Sequence, residues 1–107
     1  MKLDAIKATN IELTDAIKTA VEATLQNLAP LTERYDGAAR VHVEIGKTTA
    51  HHHKGDIFRA EINITIPGKV LRGEAEKDDL YAAIEAVEDA LKRQLTEEKD
   101  RFIDSHR

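Results

Sequence analysis

A chain of 107 residues without cysteine has the length of one domain, enough to bury a core without disulfides or a structural metal, and it offers no thiol nucleophile or thiolate metal site. A net charge of −4, with only two tyrosines and two phenylalanines, argues against nonspecific nucleic-acid binding and against an aromatic platform for single-stranded bases; a local basic surface stays open. The start, MKLDAIKATN, lacks the apolar run of a signal peptide, and no segment reaches the ~20 apolar residues of a membrane span. The expectation is therefore a soluble, cytoplasmic domain over residues 1–102, followed by a frayed tail, 103–107.

Residues Leu3 to Ala8 read as a first strand. Thr14 is a helix N-cap with Asp15 in the first turn, and Ile17, Val21, Leu25 and Leu28 recur at helical spacing. Pro30 ends that helix and Tyr35-Asp36-Gly37 is turn chemistry. Val41, Val43 and Ile45 alternate with Arg40, His42 and Glu44; Phe58, Ala60, Ile62, Ile64 and Ile66 alternate with Arg59, Glu61, Asn63 and Thr65. Both runs have the period of half-buried strands. Pro67-Gly68 suits a type II turn, after which Lys69 to Glu76 returns as a fourth strand with Leu71, Gly73 and Ala75 facing inward.

The stretch DDLYAAIEAVEDALKRQL, from Asp78 to Leu95, is the most strongly patterned part of the chain. Asp78 or Asp79 caps it, and Leu80, Ile84, Val87, Leu91 and Leu95 make one apolar stripe, each worth roughly 1.5–3 kcal/mol on burial. The helix is expected to run to about Phe102. The order β-α-β-β-β-α predicts an α+β fold: a two-layer sandwich, with a four-stranded mixed sheet carrying two helices on one face. The strand-helix-strand link makes a right-handed parallel crossover, and the later strands an antiparallel meander.

Two blocks resemble a known family. Asn10, Glu12, Thr14, Ala16, Ile17 and Lys18 lie in IKATNIELTDAIKTAVEATLQNL, and Asp79, Tyr81, Ala83, Ile84, Leu91, Arg93, Gln94 and Leu95 lie in VLRGEAEKDDLYAAIEAVEDALKRQLTEEKDR. In this order they are similar to the ribosome hibernation promoting factor family, which includes ribosome-associated inhibitor A. The resemblance implies the short, single-domain form and the same sandwich. It also implies binding to rRNA of the small ribosomal subunit in the mRNA/tRNA channel, with translation inhibited by steric occlusion during stress or stationary phase. Helical RNA is read mostly through shape, 2′-hydroxyls and phosphates, which calls for cations on a rigid convex surface.

Lys18, Arg93, Lys99 and Arg101 match family basic positions; Lys92 is adjacent to them, and Tyr81 either packs or reaches RNA. Lys7, Arg59, Lys69, Arg72 and Lys77 are further candidates from the sheet and its rim. Relatives often carry Lys where this chain has Thr24, Asn27, Ala90, Glu97 and Glu98, and each lost phosphate contact lowers the salt slope by about one unit. Glu97, Glu98 and Asp100 are spaced to pair with Lys99 and Arg101.

His51-His52-His53, with His42 as a fourth imidazole, invites a metal reading. Three consecutive loop side chains do not converge easily on one ion, so a polar loop with no metal is expected. The adjacent carboxylates Asp78/Asp79, Glu88/Asp89 and Glu97/Glu98 read as cap or solvated face rather than an acid–base dyad. Ser105 has no nucleophile-elbow context, and Gly46 and Gly55 form no phosphate loop. No enzyme, cofactor or small-molecule substrate is expected. The competing readings are a protein-interaction module, with weak self-association or a protein partner, and a general double-stranded RNA-binding domain.

Overall fold

The computed structural model describes residues 1–48 and 55–105, with side chains up to residue 101. The elements are β1 (Lys2–Thr9), α1 (Asp15–Leu28), a 3₁₀ helix (Ala29–Tyr35), β2 (Arg40–Thr48), β3 (Ile57–Ile66), β4 (Lys69–Lys77) and α2 (Leu80–Ser105). The sheet order is β1-β2-β3-β4, with β1 parallel to β2 and the other neighbours antiparallel. This is the expected α+β sandwich, and the two helices cover one sheet face.

Local chemistry explains the element ends. The Thr14 hydroxyl accepts the Ile17 N–H at 3.2 Å and caps α1. Asp79, rather than Asp78, caps α2, its Oδ1 accepting the Tyr81 N–H at 3.1 Å. Pro30 does not stop the chain from coiling: it sits in the first turn of the 3₁₀ helix, where its missing N–H costs nothing. That helix ends on left-handed Asp36 (φ 49°) and Gly37 (φ 81°). Gly68 (φ 79°) supplies the positive φ that a type II turn needs after Pro67. α2 runs to Ser105, past the expected end near Phe102, and no Gly or Pro interrupts the backbone ladder after Leu95. Residues 106 and 107 lie outside the described residues.

The core lies between the layers. Val41, Val43 and Ile45 of β2, Ala60, Ile62, Ile64 and Ile66 of β3, and Leu71 of β4 meet Ile17, Val21 and Leu28 of α1 and Leu80, Ala83, Ile84, Val87, Leu91 and Leu95 of α2, all buried. Gly73 faces inward where α2 crosses β4. A Cβ there would lie 3.0 Å from Val87 Cγ1 and 3.1 Å from Leu91 Cγ, so its absence lets α2 sit close on the sheet.

The other sheet face is open and charged. Arg40 grips Asp4 with Nε and Nη2, the shorter bond 2.6 Å long, across the β1 register shift between Leu3 and Ala5. Glu44, Glu61 and Glu74 stand opposite one another on β2, β3 and β4. Like charges in that arrangement repel. Arg59 offsets the repulsion by donating to both Glu61 and Glu74, while Asn63 donates to the other Glu61 oxygen.

Candidate nucleic-acid interface

The eleven basic or aromatic candidates divide among separate faces of the domain. Along α2, at about 100° per residue, Tyr81, Lys92 and Lys99 fall on one stripe, together with Glu88. That stripe borders α1, because Asn27 donates to the Glu88 carboxylate at 3.2 Å. Arg93 points further outward, away from the sheet. Tyr81 is 47% exposed, so it does not pack into the core. These four side chains make one outer surface of α2.

Lys18 does not join it. Lys18 precedes Leu25 by seven residues and shares its flank of α1, and Leu25 borders a hollow with Met1, Leu3 and Val41. Lys18 therefore overlooks β1, on the side away from α2. Both helices run antiparallel to β1 and β4, which themselves run the same way, so α1 and α2 are parallel. Asn27 is level with Glu88; Lys18 lies before the one and Arg93 beyond the other. Their separation along the helix axes is roughly 20 Å.

Arg101 turns to the opposite side of α2, over the β3–β4 turn, with Lys69. Arg59, Arg72 and Lys7 lie on the open sheet face behind the helices. There Arg59 is held by Glu61 and Glu74, and Arg72 donates through Nε to Asn63 Oδ1 at 2.9 Å. Lys77 ends β4 at the rim.

Pairing separates the candidates further. Lys92 Nζ is 3.1 Å from Glu88, and Arg101 Nη1 is 2.8 Å from Glu98, the three-residue pairing foreseen for it. Lys69 contacts the same Glu98 oxygen. Lys7, Lys18, Lys77, Arg93 and Lys99 make no ion pair among the described residues. Arg93 and Lys99 are thus the exposed, uncompensated cations of the outer α2 surface.

Two carboxylates read as solvated are not. The Glu88 side chain is 13% exposed and the Glu98 side chain 17%. Burial pushes the Glu88 carboxyl up, but hydrogen bonds from Lys92, Thr24 and Asn27 more than offset this and hold it below the ordinary glutamate value. The Lys69 hydrogen bond holds Glu98 below it too. Asn27 serves here as a donor to Glu88. Sequence spacing does not reveal this cross-helix contact, since residues 27 and 88 meet only through the fold.

His51, His52 and His53 lie outside the described residues. His42 is exposed on the open face, with Nε2 3.8 Å from Glu44. Among the described residues no three His, Cys, Asp or Glu side chains are grouped to hold a metal ion, and no helix is long and apolar enough to cross a membrane.

The domain is a two-layer α+β sandwich with charged faces and shallow surface hollows. Residues 5–102 match the family described as Sigma 54 modulation protein / S30EA ribosomal protein, and the chain belongs to that family. It is 30% identical over 97 residues to the ribosome hibernation promoting factor of Escherichia coli K12, covering 91% of this chain and 93% of that protein. It is 29% identical over 103 residues to the ribosome hibernation promotion factor of Deinococcus radiodurans, covering 96% of this chain but 52% of the relative. The chain thus spans about half the length of some curated relatives and nearly all of others. Among solved structures, the Thermus thermophilus Protein Y N-terminal domain matches with a TM-score of 0.65 and 37% identity, covering 88% of this chain and 91% of that one. A ribosomal subunit interface protein from Coxiella burnetii, at 19% identity and a TM-score of 0.71, covers 94% of this chain and 99% of that chain and shares the fold.

Proposed function

We infer that this chain is a ribosome-binding hibernation domain. It binds rRNA of the small ribosomal subunit in the mRNA/tRNA channel and inhibits translation by occupying that space during stress or stationary phase. It acts by fit and charge, without covalent chemistry, and works in the cytoplasm where ribosomes are. The observation that carries the reading is the match to a hibernation promoting factor along nearly the whole of both chains. The outer surface of α2 supports it physically: Arg93 and Lys99 project from a helix anchored by its buried stripe, so phosphate contact costs little reordering of the backbone.

The test is co-sedimentation of the purified chain with vacant ribosomes and separated subunits, paired with a cell-free translation assay. The expected result is pelleting with the small subunit at low salt, loss of binding as salt rises, and inhibition of translation. Failure to pellet at low salt overturns the reading.

One observation favours a protein partner instead: Glu44, Glu61 and Glu74 form a row of carboxylates across the open sheet face, set among the cations Lys7, Arg40, Arg59 and Arg72. That reading requires binding to a basic protein surface in the absence of ribosomes. A general duplex-RNA binder, by contrast, would take free double-stranded RNA as readily as subunits.

A further inference from the structure

At the end of the sandwich remote from Lys18, three elements border an open basin of about 450 Å³. It is lined by Tyr35 of the 3₁₀ helix, Gly68 and Lys69 of the β3–β4 turn, and Glu98 and Arg101 of α2. Two cations share one carboxylate there. Lys69 Nζ lies 2.5 Å and Arg101 Nη1 2.8 Å from the same oxygen, Glu98 Oε1. Arg34, whose guanidinium stands 5.4 Å from the centroid of the Tyr35 ring, adds its charge to the field at Glu98. Arg34 Nη1 is buried without a hydrogen-bond acceptor among the described residues. Such an orphaned buried donor is unusual. Glu98 thus offsets one of the two positive charges it bridges, and Lys69 and Arg101 remain 44% and 65% exposed.

We propose that this basin is a phosphate-binding site, and that Glu98 is its internal competitor. A phosphate brings more acceptor oxygens than a carboxylate, so it can engage Lys69 and Arg101 together. The Glu98 side chain rotates outward as the phosphate enters. The elements that converge here pre-position the cations: Lys69 follows a tight turn, Arg34 stacks by Tyr35, and Arg101 extends the α2 ladder. The phosphate has two sources with the same chemistry, the backbone of RNA and a free di- or polyphosphate. In the first case the site extends the ribosome-facing surface and rests on the reading above; in the second it stands apart from it.

The test is amide chemical-shift titration of the isotopically labelled full chain with pyrophosphate and, separately, with an RNA hairpin, each against sodium chloride at matched ionic strength. Shifts at Gly68, Lys69, Glu98 and Arg101 that chloride does not reproduce are expected. E98Q keeps the side-chain shape and removes the competing charge, so it should tighten pyrophosphate binding on the order of tenfold. E98A serves if E98Q alters the spectrum beyond the basin. The K69A/R101A pair should abolish the shifts while the remaining spectrum stays dispersed. Basin shifts with RNA, alone or with pyrophosphate, identify the nucleic-acid source; shifts with pyrophosphate alone identify a free ligand. No basin shift with either, or no tightening in both Glu98 variants, overturns the proposal. Ribosome pelleting is measured separately, so loss of that function without loss of pyrophosphate shifts sinks the ribosome reading and leaves this site standing.

Discussion

Asn27 of α1 donates from Nδ2 to both oxygens of Glu88 of α2, at 3.2 and 3.3 Å. This contact joins the two helices at their outer margin, and Glu88 then holds Lys92 at 3.1 Å. A carboxylate between the helices therefore quiets a cation on the surface assigned to RNA. Asn27, a neutral residue of α1, holds that acid in place.

Replacing Glu88 by glutamine should release Lys92 while keeping hydrogen-bonding capacity toward Asn27. Ribosome binding is expected to tighten, and its salt dependence to steepen by about 0.9 in the log–log slope, the contribution of one more phosphate contact. Co-sedimentation between 50 and 200 mM salt, on the order of the range where such slopes are read, measures both. An unchanged slope means Lys92 does not reach phosphate.

Charge reversal at Arg93 and Lys99 should weaken ribosome binding by about tenfold or more without unfolding the domain, because neither side chain is ion-paired among the described residues or buried. These two are cleaner targets than Lys92, whose reversal would set a glutamate beside Glu88. Lys18→Glu should combine with them additively, within about 0.5 kcal/mol, since roughly 20 Å separates the sites along the helices. A double-mutant cycle by co-sedimentation checks this. Strong coupling would place the three cations on one ligand group and contradict the geometry.

Gly73→Ala should destabilise the fold by about 1–3 kcal/mol, since the new methyl meets Val87 and Leu91 at the seam between α2 and β4. Urea unfolding followed by circular dichroism measures the loss. Gly68→Ala should also destabilise, for a different reason: open space surrounds it, but its φ of 79° strains an L-residue. Equal stability of G73A and the parent would show that α2 moves off the sheet freely.

The carboxyls of Glu61, Glu88 and Glu98 are all held below the ordinary glutamate value of 4.5 in the folded chain. For Glu61 the leading cause is the Arg59 hydrogen bond. A lowered folded value means that the unfolded chain binds protons first as pH falls. Their contribution to stability is therefore complete above about pH 5 and declines as pH drops through the lowered values. Melting temperature should hold steady from pH 7 to about pH 5 and then fall. Glu61→Gln should flatten the fall while lowering the plateau, because the Arg59 bridge loses its charge. A fall that begins near pH 7 would point to a titrating group other than these carboxylates.

Periodicity and turn chemistry are local properties, and they were sufficient for the architecture here. The alternation through Ile62 and Ile64, the cap at Thr14 and the stripe from Leu80 to Leu95 each specify an element through neighbouring residues alone. The α2 boundary was less legible, because a helix without a breaker after Leu95 ends where hydrogen bonding fails rather than at a marked residue. The candidate site was legible as a set of cations and not as a surface. Helical spacing puts Lys92 and Lys99, seven positions apart, on one face of α2, but it says nothing about which flank of α1 carries Lys18.

The amino-acid order alone determined the elements, their apolar faces and the family, because those depend on patterns within short segments and on residue identities. Only the tertiary structure decided which charges remain exposed and uncompensated. Glu88 meets Asn27 and Glu98 meets Lys69 across long stretches of chain, and a cation's availability to phosphate depends on the acid that folding places beside it.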